Sequence, residues 1–104
     1  MTRIRAIIKR PDERFGHVTN ISDSLENLQK TVDGPIETVS LMSGAVLIVN
    51  EEGKLRGLEP NFRIPGDLIV GTVAVLGTKG DEFTDCPIEF KTWKWLLEIW
   101  GNKV

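Results

Sequence analysis

Alternation opens the chain. In Arg3-Ile4-Arg5-Ala6-Ile7-Ile8-Lys9-Arg10 the residues Ile4, Ala6 and Ile8 share one face of an extended segment, while Arg3, Arg5, Ile7 and Lys9 share the other, which is the period of a β-strand. Pro11-Asp12-Glu13 supplies turn chemistry, and Phe15 to Ile21 predicts a second strand returning as a hairpin. Ser22-Asp23-Ser24 is a helix start with Ser24 or Asp23 as cap. Leu25, Leu28 and Val32 follow at helical spacing, and Gly34-Pro35 stops the run. A helix of about ten residues is marginal alone, so this one must dock its apolar stripe on a sheet. From Ile36 the period returns to two: Ile36 to Leu41 alternates, Ser43-Gly44 turns, and Ala45 to Val49 is a nearly continuous apolar run suited to a central strand. Asn50 to Lys54 predicts a tight hairpin turn with Gly53 at positive φ. Asp67 to Leu76 predicts one more buried strand, in which Gly71 marks a bulge or a close approach.

The last segment changes character. Thr84 or Asp85 can cap a helix with Pro87 near its first turn, and Ile88 to Trp100 is apolar on two faces. Phe90, Trp93, Leu97 and Trp100 form one stripe, Ile88, Trp95 and Ile99 another, with Lys91, Lys94 and Glu98 on a narrow polar strip between them. One sheet cannot cover both stripes. Aromatic anchors of this kind carry much of the energy of protein interfaces, so Trp93, Trp95, Ile99 and Trp100 are candidate residues of an oligomer or partner interface. The alternative is that a small domain wraps its last helix tightly. The pattern as a whole predicts an α+β fold: a small, mostly antiparallel sheet of about five strands, one helix after the first hairpin, and a Trp-rich C-terminal helix.

Composition narrows the classes. With 104 residues, 40% hydrophobic and 27% charged, the chain is expected to fold as a single domain over residues 1–104 with a core of its own. A net charge of -2 exerts no general pull toward nucleic acid or anionic lipid, so neither is an expected partner and any anion site must be local. Five of the thirteen Lys and Arg fall in the first fourteen residues, which reads as a solvated, edge-protecting strand face or as part of a site. Cys86 and His17 are the sole residues of their types; no disulfide within the chain and no Cys/His metal set is expected. Without a signal-like or membrane-spanning apolar run, the expected compartment is the cytoplasm.

No catalytic set stands out. His17 has no evident nucleophile partner, Cys86 precedes Pro87, and the acidic pairs Glu51-Glu52 and Asp81-Glu82 fall on predicted turns, where carboxylates are solvated. Gly53-Lys54 lacks the spaced glycine and following Ser/Thr of a phosphate loop. No catalytic residue, metal or cofactor is therefore assigned. The densest chemistry lies in Asn50 to Arg63, where Lys54, Arg56, Asn61 and Arg63 surround Gly57 and Pro60. Two guanidinium groups, an ammonium and an amide can read a phosphate together with a base or amide edge, which makes these four the candidate ligand-binding residues. Alternatively Asn61 closes the turn after Pro60, and the cations balance Glu51, Glu52 and Glu59.

Ala6-Ile7-Ile8-Lys9-Arg10-Pro11, Ser24-Leu25-Glu26-Asn27-Leu28-Gln29 with Gly34 and Ile36-Glu37, Asn50-Glu51-Glu52-Gly53-Lys54-Leu55, Gly57-Leu58 with Pro60-Asn61, and Asp67-Leu68-Ile69-Val70-Gly71-Thr72 follow in an order and spacing that resembles a family of small proteins from phages, prophages and plasmids of Gram-positive bacteria, itself a domain of unknown function. The resemblance spans about residues 3 to 77 and leaves the Trp-rich helix outside its pattern. It implies a mobile-element source and no particular activity. Small phage proteins without a catalytic set often counter host defences, and oligomeric sponges for nucleotide-type immune signals are similar in scale. The expected function is therefore a non-catalytic accessory protein that binds and sequesters a small nucleotide-derived ligand as a homo-oligomer. An inhibitor that binds a host defence protein through the Trp helix is one alternative, and a small nucleotide hydrolase is another.

Overall fold

The computed structural model describes residues 2–102. Strand β1 (Arg3–Lys9) pairs antiparallel with β2 (His17–Ser22) and, on its other side, with β7 (Val73–Lys79). Beyond β7 lie β4 (Ala45–Asn50) and then β3 (Ile36–Ser40), giving the order β2-β1-β7-β4-β3, with the short β8 (Glu82–Thr84) also on β7. All of these pairings are antiparallel. A separate two-stranded sheet joins β5 (Pro60–Ile64) to β6 (Asp67–Val70). The α+β architecture predicted from periodicity is the observed one.

Each face of the main sheet has its own cover, which is why its central strands are apolar at nearly every position. Ile4, Ala6, Ile8, Val46, Ile48, Ala74 and Leu76 pack with Leu28 and Val32 of helix α1 (Leu25–Val32). Ile7, Leu47, Val49, Val73 and Val75 pack on the other face beneath Phe62, Ile69 and Trp93, contributed by the small sheet and by helix α2 (Phe90–Trp100). The two odd-even sets of β1 thus feed two different cores. Helix α1 is capped as its sequence suggests: the Ser24 hydroxyl accepts from the Asn27 amide at 3.2 Å. Its C-terminal turn is closed by Asp33 in the left-handed conformation, φ 63°, one residue earlier than the Gly34 stop signal.

Three expectations fail, each for a local reason. The apolar run Asp67 to Leu76 is not one strand but two: at Gly71 the backbone takes φ 75° and the chain passes from the small sheet into the middle of the large one. A Cβ at Gly71 would stand 2.8 Å from Leu58 Cδ1, so both the conformation and the close packing call for glycine. Asn50 to Lys54 does not form a tight hairpin, since β4 pairs with β3 and β7 and the turn leads to β5 in the other sheet. Gly53 has no positive φ; it is buried, and a Cβ there would lie 2.9 Å from Val70 Cγ2. Finally, α2 is entered from Glu89, with no side-chain cap. Asp85 instead accepts the Arg5 amide at 2.7 Å, and the Arg5 guanidinium holds the Cys86 carbonyl at 2.8 Å, so residues 85–88 run alongside β1 rather than starting the helix.

The candidate site at the hairpin of β5 and β6

The loop from Asn50 to Arg63 distributes its polar side chains to three separate places. Asn50 is buried; its amide donates to the Val32 and Asp33 carbonyls, each at 3.0 Å, and its carbonyl accepts from the Glu52 amide at 2.7 Å. Arg56 reaches the same helix end, donating to the Asp33 carbonyl at 2.7 Å and to its carboxylate at 3.2 Å. The loop is thereby fastened to the C-terminus of α1, where cations also complement the helix dipole.

Asn61 points into the protein. The register of β5 against β6 shifts between Pro60 and Phe62, and such a bulge re-aims the extra residue. Asn61 is fully buried, its amide donating to the Lys9 carbonyl at 2.9 Å and the Gly71 carbonyl at 2.8 Å while its oxygen accepts from Lys9 Nζ at 2.6 Å. Lys9 is equally buried and also donates to the Glu13 carbonyl at 2.7 Å. Burial pulls its pKa down from 10.5 to about 8, against the opposing pull of Glu13 and Asp12. This node ties β1, β5 and the Gly71 break together. As a ligand residue Asn61 must be set aside, because both ends of its amide are engaged within the fold.

Lys54 and Arg63 remain at the surface. Lys54 pairs with Asp67 of β6, and its hydrogen bond holds that carboxyl below the usual range. Arg63 is exposed, and among the described residues its guanidinium makes no ion pair or hydrogen bond. Together with Ile64, Asp67 and Leu68 of the hairpin they line an open groove of about 800 Å³, to which α2 contributes Ile99 and Trp100. The groove thus brings Arg63 and the Lys54–Asp67 pair together with apolar surface from Leu68, Ile99 and Trp100. On the far side of the Lys54–Asp67 pair lies a narrower cleft of about 220 Å³ between β3, β4 and β6, with Glu37 and Glu51 at its rim.

The tryptophans divide as well. Trp93, grouped by sequence with the interface candidates, belongs to the core: it is fully buried, its ring meets Phe62 edge-on at 5.4 Å and its indole N–H donates to the Phe15 carbonyl at 2.9 Å. Trp100 is half-buried and packs edge-on to Trp93 at 6.3 Å. Trp95 and Ile99 are 61% and 57% exposed, one helical turn apart on the outer face. His17 meets Glu13 at 3.0 Å on the surface, far in character from Cys86, whose buried thiol is pushed up in pKa by desolvation. Among the described residues no group of three or more His, Cys, Asp or Glu could hold a metal ion, and no helix is long and apolar enough to cross a membrane.

Sequence reasoning did not anticipate Lys9. An ordinary strand-face lysine and a buried one look alike until the partner amide is known. With the fold and groove in view, the chain is an α+β domain with a two-stranded hairpin laid on a central antiparallel sheet. It belongs to the family described as Domain of unknown function (DUF3846), whose family model matches residues 4–97. That span includes most of α2, further along the chain than the 3 to 77 suggested by the segment resemblance. No curated protein and no solved structure matches it.

Proposed function

We propose that this protein is a binding protein whose working surface is the groove between the β5–β6 hairpin and the C-terminal end of α2, and that it takes a small nucleotide-type ligand there. The observation that carries this reading is Arg63: of the four loop residues with suitable chemistry, it alone is without a side-chain hydrogen bond or ion pair among the described residues, and it lines the same groove as Lys54 and Trp100. A phosphate would engage the guanidinium in two parallel bonds, and a base would lie against Trp100 and Ile99. Sequestration of such a ligand, in a protein carried by phages or other mobile elements, would deprive a host defence of its signal. The exposed Trp95–Ile99 face would join copies of the chain into an oligomer. Calorimetric titration of the protein with a panel of cyclic nucleotides and ADP-ribose derivatives should show uptake of at least one with the ligand recovered intact. Absence of heat across the panel would sink the proposal, and turnover would replace it with a hydrolase.

A second reading is favoured by α2 itself. Trp95 and Ile99 are more than half exposed, and Trp95 lines an apolar depression with Met42, Pro87 and Leu96, so the same helix could instead engage a host protein. Retention of a host protein on a column of the wild-type chain, lost with Trp95→Glu, supports that reading. Gel filtration of the same variant separates it from self-association.

A further inference from the structure

The main sheet ends at β3, and its outer edge is uncovered among the described residues. The Glu51 amide donates to the Pro35 carbonyl at 2.8 Å and the Leu41 amide to the Ala45 carbonyl at 2.9 Å. Hydrogen-bonded pairs alternate in an antiparallel ladder, so Glu37 and Val39 direct their backbone groups to β4, and Ile36, Thr38 and Ser40 direct theirs outward. Three residues thus present unpaired donors and acceptors in strand geometry. Neither Pro nor Lys interrupts this edge, although such residues are common guards against pairing.

The cleft described above opens beside this edge. Its floor is apolar, built from Val39, Val49 and Ile69, whereas its rim carries Glu37, Glu51 and Asp67. Lys54 is the one cation on that rim and is already paired with Asp67. Glu37 and Glu51 make no ion pair among the described residues. At about 220 Å³ the space falls below the roughly 300 Å³ at which small-molecule pockets begin. A long side chain with an apolar stem and a cationic head matches both floor and rim.

We propose that β3 and this cleft form a docking site for an extended, basic segment of a partner protein, which adds to the sheet as a further strand and places one lysine or arginine side chain in the cleft. Backbone pairing with Ile36, Thr38 and Ser40 supplies register, and Glu37 with Glu51 selects the cation. The side chains of an added strand that lie beside Glu37 and Val39 are on the cleft face of the sheet. An acidic segment is rejected by the same carboxylates. This surface lies across the Lys54–Asp67 pair from the Arg63 groove and does not depend on a ligand there.

The test is a titration of the full chain, followed by amide chemical shifts, with the capped pentapeptide Thr-Val-Arg-Val-Thr and with its counterpart carrying Glu in place of Arg. Shifts should concentrate at Ile36, Thr38 and Ser40 and along residues 67–70, with half-saturation in the millimolar range expected for so short a strand. The Glu peptide should bind about tenfold more weakly or not at all, the scale of one charge-assisted hydrogen bond. Glu37→Lys with Glu51→Lys should impose a similar loss on the Arg peptide. Thr38→Pro, which removes an outward amide and leaves the β4 ladder intact, should abolish binding while the rest of the spectrum stays native. Absence of shifts at about 10 mM peptide, equal response to both peptides, or shifts gathered around Arg63 and Trp100 would each overturn the proposal.

Discussion

Asn61 and Arg63 stand two positions apart on one short strand, yet one is fully buried and the other is exposed. In a regular strand they would share a face; the bulge between Pro60 and Phe62 sends Asn61 inward, where it joins Lys9 and the Gly71 carbonyl. One irregularity of the backbone thus separates a residue that holds the fold from one left at the surface. The same division recurs on α2, where Trp93 is core and Trp95 is surface.

Substitutions on the inner side should therefore cost stability, and those on the outer side should not. The largest effect is expected from Trp93→Ala, a loss of about 3 to 5 kcal/mol in urea unfolding from the vacated core volume; Trp95→Ala should stay within about 0.5 kcal/mol of wild type. Asn61→Ala should cost about 3 kcal/mol, since it leaves a buried ammonium and two carbonyls short of partners. If Asn61→Ala unfolded no more readily than Arg63→Ala, the inward node would carry no weight.

Lys9 gives the comparison a pH axis. Its folded pKa, about 8, lies below the ordinary 10.5, so below pH 8 the lysine is charged in both states and the burial penalty is fully present. Between the two values the unfolded chain holds more protons than the folded one, and stability rises with pH. The gain is on the order of 3 kcal/mol. Cys86 works in the opposite direction, because its raised folded pKa means stability is lost as the unfolded thiol ionises. The difference between wild type and Lys9→Met in urea melts from pH 7 to pH 10.5 isolates the lysine: the variant should lack the upward slope. A smaller effect is expected at Arg56→Ala, about 1 kcal/mol from loss of the Asp33 contacts, with no change in ligand affinity.

Period and punctuation revealed most of the architecture. The alternation of β1, the docking of Leu28 and Val32 and the buried β4 were readable, because each is a local pattern of apolar residues; Leu25 is nevertheless exposed, and β1 is an interior strand with Ile7 and Lys9 buried, not a solvated edge. The division of Asp67 to Leu76 at Gly71 was not readable, since a glycine in an apolar run has the same appearance whether the strand bends or ends. At the candidate site, residue type identified Lys54, Arg56, Asn61 and Arg63 as a group, but direction was invisible. Arg56 turns to a helix terminus 23 positions back in the chain, and Asn61 finds a lysine 52 positions away. Such long-range partners leave no mark on local spacing.

The proposed binding groove depends above all on Arg63 acting in function and not in folding. Titration of ADP-ribose and cyclic nucleotides into wild type and Arg63→Ala, with urea melts of both, tests it directly. The predicted result is that Arg63→Ala loses about 1.5 to 3 kcal/mol of binding energy for the ligand that wild type takes up while its unfolding midpoint is unchanged. Undiminished binding by Arg63→Ala, or a parallel loss of stability, would contradict it.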